Sequence, residues 1–181
     1  AGIREFGACS ELCYAGVFHR ALERIMPRLF ALVTVLATFV LVACNLQGLD
    51  SLRPFAKMTA STGFICVALS LGAHRWMYGR ILLAGLFFSW WGDFFLLGSA
   101  ENTFLLGLVS FLLGHIMYCV AFGVRGIDWR WSAATLPVAA LITGGALWWL
   151  SPHVPAEMIW PVRAYTAVIS IMVILAFGAK G

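Results

Sequence analysis

The sequence predicts an all-α protein, a polytopic transmembrane helix bundle, on three observations. The chain of 181 residues is 62% hydrophobic and only 11% charged, where a soluble domain is about half apolar and about 25% charged. Its mean hydropathy is +0.92. Its apolar residues gather into six runs near the length of a membrane helix, about 20 residues, separated by short polar or charged breaks. So little polar surface cannot cover a water-facing globule, and the excess must face lipid. One membrane domain fits the length.

The six expected spans lie near 29–46, 55–71, 81–97, 103–123, 132–150 and 160–178. Residues 1–28 carry mixed charges, including Arg4, Glu5, Glu11, Arg20, Glu23, Arg24 and Arg28. They predict a cytoplasmic amphipathic segment lying at the membrane surface, and are too long and too charged for a cleaved signal. The sequence begins with Ala1, which suggests a processed chain or a fragment. The second run is the most polar, with Lys57, Thr59, Ser61 and Thr62 in its first turns. Asn45-Leu46-Gln47-Gly48-Leu49-Asp50 closes the first span, His74-Arg75 and Arg80 separate the second from the third, and Gly98-Ser99-Ala100-Glu101-Asn102 joins the third and fourth as antiparallel neighbours. Arg125, Asp128 and Arg130 follow the fourth, and Ser151-Pro152-His153-Val154-Pro155 breaks the fifth from the sixth.

Cytoplasmic loops carry the excess of Lys and Arg. An N-terminus in the cytoplasm puts Arg4, Arg20, Arg24, Arg28, Arg75, Arg80, Arg125, Arg130 and Lys180 inside, against Arg53, Lys57 and Arg163 outside. The expected location is the bacterial inner membrane. The net charge of +4 comes from scattered residues, which argues against a nucleic-acid partner. Cys9, Cys13, Cys44, Cys66 and Cys119 form no Cys-x-x-Cys pair, so neither a metal site nor a disulfide framework is expected. No cofactor motif is found: there is no P-loop, dinucleotide fingerprint, Gly-x-Ser-x-Gly elbow or His-Glu-x-x-His. Leu41-Val42-Ala43-Cys44 matches a bacterial lipobox, but five more apolar runs and a long leading segment favour Cys44 as a small residue of the first span.

An ionisable group inside a span costs about 2.5–3.5 kcal/mol at the helix centre on the insertion scale, and by default marks function. Asp93, in Phe88-Ser89-Trp90-Trp91-Gly92-Asp93, lies 13 residues beyond Arg80, roughly 20 Å along a helix. His115 lies 12 residues past Thr103, roughly 18 Å down the returning helix. Those depths differ by a turn or two. Gly85, Ser89 and Gly92 form a small-residue stripe on the third span, and Gly107, Ser110 and Gly114 another on the fourth. Such faces let helices approach closely around a polar group. His115 and Tyr118 share a helix face. The bland alternatives are a snorkelling Asp93, a packing His115, Trp90-Trp91 and Trp148-Trp149 as apolar bulk, and Arg163 and Tyr165 as interface anchors rather than a headgroup pocket.

Two adjacent segments carry a more specific pattern. Gly92-Asp93 near the end of one span is followed, after a short turn, by Gly107, Phe111, His115 and Tyr118 spaced as Gly-x-x-x-Phe-x-x-x-His-x-x-Tyr on the next. Together with Arg163-Ala164-Tyr165 ahead of the sixth span, this resembles the YhhN-like lysoplasmalogenase family, loosely from residue 29 onward. The resemblance implies an integral membrane protein of about eight helices that hydrolyses the vinyl ether bond of lysoplasmalogens. It implies Asp93 and His115 as catalytic residues. Ser89, Ser110, Tyr118, Arg163 and Tyr165 are the candidate substrate-binding residues. Lysoplasmalogen and membrane lipid are the expected partners, with no cofactor or metal. The family pattern continues into two further helices bearing a second Asp, whereas this sequence stops at Gly181; Asp93 is therefore expected to be one half of a two-carboxylate site. The alternative is a non-enzymatic transporter, lipid-binding or scaffolding protein in which Asp93 and His115 relay a proton or fix packing.

Overall fold

A computed structural model describes the backbone of residues 2–98 and 100–180, with side chains described for 25–98, 100 and 102–180. Among the described residues the chain forms six α-helices: α1 Gly2–Gln47, α2 Arg53–Ser70, α3 Met77–Phe95, α4 Glu101–Arg125, α5 Trp129–Leu150 and α6 Ile159–Gly178. The all-α prediction holds. Four segments among the described residues are long and apolar enough to cross a membrane: Ile25–Gln47, Asn102–Arg125, Trp129–His153 and Ala156–Gly178. By mean hydropathy α2 and α3 fall short of the same measure, α2 through Arg53, Lys57 and its hydroxyls, α3 through Arg80 and Asp93. The amphipathic character expected of residues 1–28, and Cys9 and Cys13, lie almost wholly outside the described side chains.

The chain divides into two compact units, Ala1–Gly72 and Ala73–Gly181. The first is a helical hairpin. Its α1 buries Thr34, Ala37 and Cys44, a stripe of small residues spaced three and seven apart as on one helix face. Against it α2 sets Ala56, Ala60 and Gly63. Gly63 meets the Thr34 side chain so closely that a Cβ would overlap the hydroxyl oxygen, and that hydroxyl donates back to the Phe30 carbonyl at 2.8 Å. Gly48, at φ 68°, ends α1 in a left-handed cap. The Leu49 amide then reaches the Cys44 carbonyl at 3.0 Å, the six-to-one bond of a Schellman motif. Cys44 is a buried residue of this helix face, as its span reading expects.

In the second unit α3 packs on α4, α4 on α6, and α6 on α5. Asp128 caps α5 by accepting from the Arg130 amide at 3.0 Å. The end of α6 is fastened to the α4–α5 connection: the Asp128 amide donates to the Gly178 carbonyl at 2.7 Å, and the Lys180 amide to the Gly126 carbonyl at 3.0 Å. Arg125 Nε also donates to the Lys180 carbonyl. Large apolar side chains line the outside of the unit. Leu141 and Ile142 are 78% and 66% exposed. No large side chain is fully buried among the described residues; the interior is made of glycine, alanine and serine, as in membrane bundles whose helices associate through small residues.

Candidate functional site

The α3–α4 contact sets the geometry of the site. Gly85, Ser89 and Gly92 present one small face and Gly107, Ser110 and Gly114 the other. A Cβ on Gly114 would lie 2.8 Å from Ser89 Oγ and 2.9 Å from the Gly85 carbonyl oxygen, and one on Gly107 would lie 3.2 Å from the Gly92 carbonyl. Backbones this close leave no room for larger residues. Ser110 uses the approach to donate its hydroxyl to the Phe88 carbonyl across the helices, at 2.9 Å. Its oxygen thereby clamps α4 to α3, and the residue is buried. Gly92 accepts the Phe111 ring, 2.7 Å from where its Cβ would stand. Asp93 follows directly, half-buried on α3.

On α4, one turn beyond Phe111, His115 Nδ1 lies 2.6 Å from the Phe111 carbonyl oxygen. A carbonyl can only accept, so Nδ1 carries the hydrogen, and in the neutral ring the free lone pair sits on Nε2. Two phenol rings flank the imidazole edge-on: Tyr118 at 5.8 Å between centroids and Tyr165 at 5.4 Å. The Tyr118 hydroxyl and Ser89 Oγ are hydrogen-bonded at 3.2 Å, which ties the α4 aromatic back to α3. Tyr165, from α6, also lies near enough to Asp93 to feel its charge. His115 and Tyr118 of α4 and Tyr165 of α6 thus form one half-buried cluster, tied to α3 through Ser89, with Asp93 within electrostatic reach of Tyr165.

Arg163 is not part of this cluster. It is exposed, its guanidinium 5.7 Å from the centre of the Trp160 ring. Trp90 and Trp91 pack among Phe87, Phe94 and Phe95 on α3. Among the described residues no group of His, Cys, Asp and Glu is placed to hold a metal ion.

Two features went unread in the sequence. The Phe111 carbonyl, which fixes the His115 tautomer, is a backbone group and leaves no mark in residue identity. The hydroxyls of Thr143 on α5 and Ser170 on α6 meet at 2.6 Å; both stand in apolar runs that carry other hydroxyls, so nothing in the sequence singles them out.

Residues 52–181 match the model of the YhhN family. Over 91 residues the chain is 30% identical to the lysoplasmalogenase TMEM86A of Bos taurus, an alignment covering 50% of this chain and 36% of that protein. The chain thus spans about a third of the length of this relative. No solved structure matches the chain. With a family match over more than half its length and four helices apolar enough to cross a bilayer, the chain is an integral membrane protein and belongs to the YhhN family.

Proposed function

We propose that this protein is a membrane hydrolase that cleaves the vinyl ether bond of lysoplasmalogen-type lipids by acid–base catalysis. The observation that carries the reading is the contact of His115 on α4 with Tyr165 on α6, with Asp93 of α3 within electrostatic reach of Tyr165; the name of the bovine relative supports the substrate class. Vinyl ether hydrolysis starts with a proton delivered to the β-carbon of the double bond. An oxocarbenium ion results, water adds to it with loss of a proton, and the hemiacetal collapses to a fatty aldehyde and a glycerol hydroxyl.

Asp93 is the acid in this scheme. His115 takes the proton from the attacking water at Nε2, the nitrogen that the Phe111 carbonyl leaves unprotonated. The faces and edges of Tyr118 and Tyr165 border the position of the cation, where aromatic faces are favourable to positive charge. Ser89 holds Tyr118 in place. In the proposed topology the six helices span the bacterial inner membrane, with the N-terminus in the cytoplasm.

The substrate test uses protein expressed from its complete reading frame and purified in detergent. It is offered 1-alkenyl, 1-alkyl and 1-acyl lysophospholipids of one chain length. Aldehyde from the alkenyl lipid alone supports the reading. Release of fatty acid from the acyl lipid, or no product from any, refutes it in favour of an esterase or of a non-catalytic lipid-binding or transport role.

A further inference from the structure

A second site lies on the other side of α6. The end of α5, the Ser151–His153 turn and the start of α6 enclose an open cleft of about 340 Å³. That is within the range of small-molecule sites. Leu147, Leu150, Val154, Ile159 and Val162 make its wall, and Arg163 supplies the one full charge on its lining. The cleft is therefore an apolar trough with a guanidinium. Two indoles flank it: Trp148 lines it and is 81% exposed, and Trp160, under the guanidinium, is 76% exposed. Exposed indoles of this kind favour the headgroup level of a bilayer. The trough opens beside them, so its natural surroundings are lipid glycerol and phosphate above and acyl chain below.

We propose that this cleft holds a bilayer phospholipid, its phosphate on Arg163 and one acyl chain along the α5–α6 wall. A guanidinium matches a phosphate with paired N–H donors, and stacking on Trp160 orients it. The occupant is a resident lipid of the bilayer rather than the lipid being hydrolysed. Arg163 and Tyr165 are two residues apart on α6, a turn of roughly 200°, so the guanidinium and the Tyr165 ring that meets His115 face opposite sides of the helix. A phosphate on Arg163 would leave the sn-1 ether of the same molecule with the body of α6 between it and His115. The proposal stands apart from the hydrolase reading and requires no turnover.

The test measures phospholipid that stays with protein purified from membranes in a mild detergent, by native mass spectrometry and total phosphorus. The wild type is expected to retain about one phospholipid per chain, Arg163→Gln at least fivefold less, and Arg163→Lys an intermediate amount. Leu150→Trp fills the trough without touching the charge and is expected to lower retention to the same extent, which keeps the test decisive should Arg163→Gln fail to fold. Equal retention in all four proteins overturns the proposal. So does a wild type that retains no phospholipid, the result expected if a second copy of the chain covers the cleft. Displacement of the retained lipid by 1-alkenyl lysophospholipid in preference to its 1-acyl counterpart also overturns it, because the cleft would then be a substrate site.

Discussion

Gly114→Ala and Gly123→Ala change the same atom on the same helix, and the two should move stability in opposite directions. At Gly123 an added Cβ meets nothing within 4 Å. The exchange there keeps the usual advantage of alanine in a helix, about 0.5–1 kcal/mol. At Gly114 the new Cβ would stand 2.9 Å from the Gly85 carbonyl oxygen and 2.8 Å from Ser89 Oγ, where ordinary contact begins at 3.4 Å. Ser89 can rotate away, but its hydroxyl then leaves Tyr118, a bond of the kind that averages about 0.6 kcal/mol in membrane proteins. The carbonyl is backbone, so relief there requires α3 and α4 to part by about half an ångström along their small-residue faces. Overpacking of this size costs typically 1–3 kcal/mol. Set against the helical gain, Gly114→Ala should destabilise by about 1–2 kcal/mol. Reversible unfolding of both variants in mixed micelles, with the denaturing detergent as titrant, reads the difference directly. Two shifts of the same sign and size would refute the close approach of α3 and α4 along their small-residue faces.

Further outcomes follow from single contacts. Ser89→Ala and Tyr118→Phe should each lose a few tenths to about 1.5 kcal/mol, and in a double-mutant cycle the pair should show coupling of about 0.6 kcal/mol; strict additivity would mean that the two hydroxyls do not meet. Ser132 is 3% exposed and its Oγ has no hydrogen-bond partner among the described residues, so Ser132→Ala should raise stability by up to about 1 kcal/mol; a loss of more than that would show a bond the hydroxyl makes. His115→Gln keeps a polar side chain but no basic nitrogen, and should cut kcat for aldehyde release by about 10²–10⁴-fold; an unchanged kcat would restrict His115 to packing.

The parts of this protein that were legible in the sequence are those written in hydrophobic pattern. Composition alone gave the helical membrane class, and the small residues at 85, 89, 92, 107, 110 and 114 marked the α3–α4 contact. The grouping of His115 with Tyr118 followed from helical spacing. Tyr165 was grouped with Arg163, as substrate-binding candidates or as interface anchors, because they are neighbours in sequence; two steps around a helix separate them, and only the packing of α6 on α4 brings Tyr165 to His115. Depth counted along isolated helices could not supply that, since it fixes height but not rotation about the axis. The lone pair on His115 Nε2 was illegible for a different reason: it depends on where a backbone carbonyl sits. α3 falls short of the hydropathy of a span through Arg80 and Asp93, because a charged residue lowers the hydropathy by which spans are recognised.

The role of Asp93 is tested most directly by the rate of aldehyde release from a 1-alkenyl lysophospholipid, compared between the wild-type protein and Asp93→Asn, both expressed from the complete reading frame and matched for folding. Asparagine preserves shape and hydrogen bonding but has no acidic proton to give. The account predicts that wild-type protein releases aldehyde and that the variant loses about 10²–10⁴-fold in kcat. Aldehyde release by Asp93→Asn at the wild-type rate would contradict it.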